Sequence, residues 1–282
     1  MVRLVAWLLG AWRAAACVEH AVVVAWHYGA DNESQALMRR ILAQQVEARD
    51  RYLGPRSLFL VVENDAADAS REAVEAAGLA YARNGDYPDF GFELGAWRWA
   101  MRRALPGAGL CADAVVYLTQ DSLVLNRPPL AYPPPPSLNA TRIYAFDGSK
   151  QLLGVPHGER HWIPEAAAAF ASVAGAPDAA ISPAKAFAGC FGPNVVGTYA
   201  AWVALEARGF FDMMRVRTKL DEQRSERVLG LFLERDAASR DRSSIGGDYL
   251  RAQRPSRASL ADLPFRKIMG YKARSRERWH AR

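Results

Sequence analysis

Signatures that announce a reaction at fixed spacing are scarce in this 282-residue chain. It has no Gly-X-Ser-X-Gly elbow, no Gly-X-X-X-X-Gly-Lys phosphate loop and no His-Glu-X-X-His helix. Serine-hydrolase, P-loop and zincin chemistry in their usual forms are thereby excluded. The glycines near Gly91 and Gly95 do not make the dinucleotide fingerprint. Cysteine is equally sparse: Cys17, Cys111 and Cys190 lack metal-ligand spacing, and an odd number cannot all pair within one chain. They leave either a Cys111–Cys190 bridge, in an oxidising compartment, or buried thiols, the commoner state. No tandem repeat of solenoid period is present. No basic face recurs through the body of the chain, which argues against an extended nucleic-acid surface.

What is abundant is apolar: half the residues, with eight Trp and ten Tyr. A chain of this size and composition buries a full core, and most of its aromatics belong there. The formal net charge of +6 is localised. Arg266, Lys267, Lys272, Arg274, Arg276, Arg278 and Arg282, set against Glu277, account for all of it. Residues 266–282 therefore read as a basic C-terminal tail on a neutral body. Such a tail is usually solvated, with contact to a pyrophosphate or an anionic membrane surface as the functional alternatives.

At the other end, Met1 to Cys17 has one early cation, a short apolar run and then small residues. Residues 1–19 read either as a weak signal peptide, with Arg13 against it, or as an N-terminal amphipathic helix; the run is too short to span a bilayer. A secretory or Golgi location and a cytoplasmic one follow from these two readings. The sequons at Asn32 and Asn139 fit the former but occur often by chance.

Between them, residues 20–265 read as one domain. Ala21 to Trp26 is a continuous β-branched run, Ser34 to Arg51 has helical spacing, and Leu58 to Val62 is a second apolar run after Gly54-Pro55. Strand, helix and strand with short punctuation make a βαβ unit and a mostly parallel sheet. A short helix from Ser70, a brief strand at Leu79 to Ala82, a helix from Phe92 to Leu105 and a strand at Val115 to Leu118 follow. Later come a strand at Arg142 to Phe146 and helices at Pro164 to Ala174, Thr198 to Arg208 and Gln223 to Arg235. The segment from Phe187 to Gly197, rich in glycine, suits a tight turn or close backbone approach to a ligand.

Two segments carry chemistry. Asn84-Gly85-Asp86-Tyr87-Pro88-Asp89-Phe90-Gly91-Phe92-Glu93-Leu94-Gly95-Ala96-Trp97 is an acidic, turn-rich entry to a helix. Ala114 to Leu118 leads into Thr119-Gln120-Asp121-Ser122, which places a carboxylate and a hydroxyl at the carboxyl end of a strand, where open α/β sheets bind ligands. Hard oxygens there suit Mg²⁺ or Mn²⁺. Each residue also has a plain structural reading: Asp121-Ser122 as turn chemistry, Glu93 as a first-turn acid favoured by the helix dipole, Asp89 as the cap of that helix.

Taken together, Asn84-Gly85, Asp89-Phe90-Gly91, Gly95-Ala96-Trp97 and the strand ending Gln120-Asp121-Ser122 with Pro128 downstream resemble GT-A-type glycosyltransferases akin to rhamnan-synthesis and related polysaccharide-biosynthesis proteins. Gln120 stands where those have Asn, and there is no Asp-X-Asp triplet. The resemblance runs firmly from Val22 to Pro128. It implies a Rossmann-like α/β fold and transfer of a hexosyl-type sugar from a nucleotide-diphosphate donor to a hydroxyl of a glycan or other acceptor. Asn84, Asp89, Glu93, Gln120 and Ser122 would then line the donor pocket, and Asp121 would hold the metal. Glu226, with Glu222 and the loop residues His157 and His161 as alternatives, is the expected base; an exposed helix residue is its plain reading. A catalytically inactive sugar- or nucleotide-binding module, and an interaction protein working through its basic tail, are the competing readings.

Overall fold

A computed structural model describes residues 17–27, 32–64, 68–120, 123–125, 143–145, 150–153, 187–190, 195–207, 209–212, 215–218, 221–222 and 265–267. Its centre is a six-stranded sheet. β1 (Val18–Trp26), α1 (Asn32–Tyr52) and β2 (Ser57–Glu63) form the expected βαβ unit, followed by α2 (Asp68–Ala76) and β3 (Ala80–Arg83). α3 (Phe92–Trp99) runs on through a π turn at Ala100–Ala104 and a 3₁₀ turn at Leu105–Gly107 into β4 (Leu110–Gln120).

Beyond β4 the chain makes β5 (Leu123–Leu125), β6 (Ile143–Ala145), β7 (Lys150–Leu153), β8 (Phe187–Cys190) and β9 (Val195–Thr198). Then come α4 (Tyr199–Ala207), a 3₁₀ turn at Phe210–Asp212 and finally β10 (Phe265–Lys267). The expected helices at Pro164 to Ala174 and Gln223 to Arg235 lie outside the described residues. The glycine-rich Phe187 to Gly197 stretch holds β8 and the start of β9.

Strand order in the large sheet is β3-β2-β1-β4-β9-β6. β1, β2, β3 and β4 are parallel, β9 opposes β4, and β6 opposes β9. Five strands therefore share one direction and β9 alone runs against it, the mostly parallel α/β sheet flanked by helices that the sequence implied. The continuous apolar character of β1 follows, since both its faces are covered. Val22, Val24 and Trp26 pack with Phe59 and Val61 against Met38, Ile41 and Leu42 of α1 and Val74 of α2. Ala21, Val23 and Ala25 pack with Val62, Val116 and Leu118 against Leu94 and Trp97 of α3 and Trp202 of α4. Burying each large side chain of these two layers contributes roughly 1.5–3 kcal/mol. The Trp202 indole also donates to the Val116 carbonyl at 3.3 Å, so a polar atom is satisfied inside the second layer.

The cysteine pairing differs from expectation. Cys17 and Cys111 form a disulfide, with Cα atoms 5.1 Å apart and a sequence separation of 94. Both sit at the amino ends of adjacent parallel strands, β1 and β4, which explains why residues so remote in sequence meet. Cys190 belongs to β8. β1 begins at Val18, and β10 spans the expected boundary between residues 265 and 266.

β10 pairs with β5 antiparallel, Lys267 opposite Leu123 and Phe265 opposite Leu125. The start of the basic stretch is thereby attached to the strand that follows Asp121-Ser122. No helix among the described residues is long and apolar enough to cross a membrane.

Candidate functional site

In a sheet of this order the direction of strand addition reverses beside β1: β2 and β3 lie to one side, β4 to the other. The crevice at such a reversal, outside the carboxyl ends of the strands, is where open α/β folds take their ligands. Here the edge is formed by Arg83, Glu63 and Trp26 in register, with Gln120 opposite Ala25. Gln120 is the last residue of β4, so Asp121 and Ser122 follow directly; these two, like Glu226, His157 and His161, lie outside the described residues.

The chain leaving β3 crosses this edge. Asn84 is buried, and its side chain is fully engaged within the protein: Nδ2 donates to Asn64 Oδ1 at 2.8 Å and to the Phe90 carbonyl at 2.6 Å, while Oδ1 accepts from the Asp86 amide at 3.0 Å. Asn84 therefore shapes the loop from residues 85 to 91. Asn64 carries no distinguishing sequence signal, because an amide after a strand looks like turn chemistry. It is nonetheless the hinge pin of the edge. Its backbone N–H donates to the Trp26 carbonyl at 3.0 Å, and its Nδ2 donates to the Phe92 carbonyl at 2.8 Å. Phe92 has φ of +56°, a left-handed conformation that costs a residue with a Cβ of order 1 kcal/mol and must be held by its surroundings.

Asp89 does not cap α3; Gly91 occupies that position, with no side-chain cap. The reason is the loop path, which carries Asp89 outward to an exposed ion pair with Arg217 at 2.6 Å. Glu93 lies half-buried in the first turn of α3. Gly91 donates to the Val216 carbonyl at 2.9 Å, so the loop is braced by the 215–218 segment. Glu63, fully buried at the end of β2, is a further carboxylate of this edge; burial, with Glu63's charge added, pushes the Tyr81 hydroxyl up to about 12. Glu222 is buried beyond a capping box in which Thr218 and Asp221 exchange hydrogen bonds of 2.9 and 3.2 Å.

α3 carries the far wall. Trp97 Nε1 donates to the Thr119 carbonyl at 3.2 Å, one residue before Gln120. Arg98 pairs with Asp86 and, at 2.9 Å, with Asp212, while Arg102 pairs with Glu206 and with Asp212 at 2.5 Å. Burial works against the Arg102 charge, but the hydrogen bonds it donates to Asp212 and Glu206 outweigh it and raise its pKa. The two acids of this ladder are pushed apart. Burial raises Glu206 despite its arginine, whereas at the more exposed Asp212 the hydrogen bonds from Arg102 and Arg98 outweigh burial and lower it.

The sign of each contribution follows. Asp212 adds stability above its unfolded pKa and loses it as pH falls through the depressed folded value; Glu206 adds stability at low pH and loses it as pH rises through its elevated folded value. Asp212→Asn should therefore cost under about 1 kcal/mol at pH 7 after solvent screening, and nothing once pH is below the folded pKa. Glu206→Gln should cost nothing at pH 7. Urea unfolding at pH 3, 5 and 7 checks both.

Among the described residues no group of three or more His, Cys, Asp or Glu is placed to hold a metal ion. The Asp121 carboxylate and Ser122 hydroxyl, next in sequence after β4, are hard oxygen donors of the kind that suits Mg²⁺ or Mn²⁺.

No protein-family model matches the chain, and no curated protein sequence does. Solved structures do. An active-site mutant of the galactosyltransferase LgtC is 12% identical over 93% of this chain and 94% of its own, with a TM-score of 0.44. CMP:2-keto-3-deoxy-manno-octonic acid synthetase complexed with CTP is 12% identical over 76% of this chain and 85% of its own, at 0.41. Glucosyl-3-phosphoglycerate synthase from Mycobacterium tuberculosis is 13% identical over 78% and 80%, at 0.38. Overlaps of this size leave the functional reading to the geometry of the sheet edge.

Proposed function

We propose that the chain is a nucleotide-sugar-dependent glycosyltransferase that moves a hexosyl-type sugar to a hydroxyl of a glycan or other acceptor, in polysaccharide biosynthesis. One observation carries this reading: the strand order reverses beside β1, and the strand across that reversal, β4, runs directly into Asp121-Ser122.

In the reaction, an acceptor hydroxyl loses its proton to a carboxylate, for which Glu226 is the candidate. The acceptor oxygen bonds to the anomeric carbon, and the nucleoside diphosphate leaves with the electrons of the broken bond. Glu93, Gln120 and Ser122 are proposed to line the donor pocket; Asn84 supports the reading by ordering the loop, and Asp89 by its place at the loop's outer face. Asp121 would hold Mg²⁺ or Mn²⁺, which when bound supplies positive charge against the departing diphosphate. The Cys17–Cys111 bridge supports a secretory or Golgi location, since disulfides persist in oxidising compartments, and it requires any cleaved targeting segment to end before Cys17 rather than at residue 19. The basic stretch from Arg266 supports contact with an anionic membrane surface rather than with nucleic acid.

The test is a thermal-shift screen against UDP-, GDP-, dTDP- and CMP-sugars, with and without Mn²⁺, on the wild type and on Asp121→Ala. A ligand selective for the folded state at a hundred times its Kd stabilises by about 2.7 kcal/mol. One nucleotide sugar should give a metal-dependent shift that Asp121→Ala loses. A shift without sugar transfer to any supplied acceptor would instead identify a binding module, and no shift with any donor on folded protein would overturn the proposal.

A further inference from the structure

The two sides of the proposed donor site, the 84–91 loop that leads from β3 to Glu93 and the carboxyl end of β4 at Gln120, lie on strands separated by β2 and β1. At about 4.8 Å per strand this is a span of roughly 14 Å, too far for direct contact between short side chains. Two consecutive residues of α3 bridge it. Trp97 anchors the helix to the Thr119 carbonyl at the carboxyl end of β4. Arg98, the next residue, holds the loop: its guanidinium pairs with Asp86, its Cζ lies 3.9 Å from the centroid of the Phe90 ring, and it also pairs with Asp212 beside the segment that braces Gly91.

From this geometry we infer that Arg98 is a positioning residue that fixes the 84–91 loop at the distance from the end of β4 at which one donor molecule can be gripped by both. The inference rests on the proposed glycosyltransferase reading. Its chemistry is specific to arginine. A planar, forked guanidinium donates to two carboxylates at its edges while lying over an aromatic face, and a lysine ammonium reproduces neither the fork nor the stacking. The Arg98 side chain is 12% exposed, whereas its partners Asp86 and Asp212 are 33% and 46% exposed. Loss of the arginine leaves both carboxylates able to rehydrate. The fold is thus maintained by the two apolar layers, and the consequence falls on loop position.

Arg98→Met, Arg98→Lys and Asp86→Asn separate this role from a merely structural one. In sugar-transfer assays the donor KM should rise about tenfold for Arg98→Met, with a smaller change in kcat and none in the acceptor KM, because misplacing a substrate-binding element by a fraction of an ångström acts on donor grip. Arg98→Lys should recover part of the loss. Asp86→Asn should raise the donor KM too, and combined with Arg98→Met should add little, as expected of partners in one contact. Arg71→Met, which removes an exposed helix ion pair with Glu75, is the control and should change nothing. Donor KM values equal to wild type in Arg98→Met and Asp86→Asn would overturn the inference, as would a lowered melting temperature in Arg98→Lys with no change in donor KM. If Arg98→Met does not fold, the lysine and Asp86 variants decide. Failure of the wild type to bind any nucleotide sugar is a different result, which overturns the glycosyltransferase reading and this inference with it.

Discussion

Cys111→Ser should lower the stability of the folded chain by about 4–5 kcal/mol. The magnitude follows from the length of chain closed by the bridge, because a cross-link across about 100 residues removes conformational freedom chiefly from the unfolded state. With a sequence separation of 94 between Cys17 and Cys111, the loop takes in β1, both first-layer helices and α3. Cys17→Ser should cost the same, and the double variant no more than either single one, since all three break one bond. Guanidinium unfolding of the oxidised wild type, the wild type with reductant and the three variants measures this directly. The reduced wild type should fall on the variants' curve. Coincidence of all five curves would mean that the bridge contributes nothing to stability.

Gly95→Ala should destabilise by about 3 kcal/mol or more, at the upper end of what overpacking costs. A Cβ at this position would stand 2.2 Å from the Phe90 carbonyl oxygen and 2.3 Å from its carbonyl carbon. Those are backbone atoms and cannot swing aside. Phe90 cannot retreat cheaply either, because its carbonyl accepts the Asn84 side chain and its ring lies against Arg98. The added methyl therefore has to push the whole 84–91 loop off α3. Alanine is otherwise the better helix former by about 1 kcal/mol, so a loss of stability here isolates the steric term. Calorimetry checks it, and a variant as stable as wild type would show that the loop moves freely.

Much of this architecture is legible in the amino-acid order. β1, α1, β2 and α3 appear where apolar periodicity puts them, because each is a local pattern with local punctuation. The antiparallel insertion of β9 between β4 and β6 is not, since Val195–Thr198 looks like any short apolar strand and its direction is set by partners far away in sequence. The partner of Cys17 is hidden in the sequence for the same reason: it is near only after β1 and β4 have taken up parallel register. Asp89 looked like a cap because it precedes a helix, yet Phe90 and Gly91 intervene and α3 starts one residue later, on a left-handed Phe92. At the site, Asn84 and the carboxylates drew attention as polar residues beside turns. Asn64, Arg98 and Arg102 did not, because amides after strands and arginines on helices look alike whether they face water or hold a loop. Asp121, Ser122 and Glu226 rest on sequence alone.

The pairing of β10 with β5 changes what the basic stretch is. A solvated tail is modular: it can be cut away to ask what its charge does, and the remainder is unaffected. A stretch whose first two cations are backbone partners of Val124 and Leu123 has no such seam. Cutting the chain before Phe265 would strip β5 of its neighbour, two residues downstream of Asp121, at the same moment as it removed the charge. Scaffold and field are inseparable to a protease or a stop codon here. Only side-chain neutralisation, residue by residue with the backbone left whole, distinguishes one from the other.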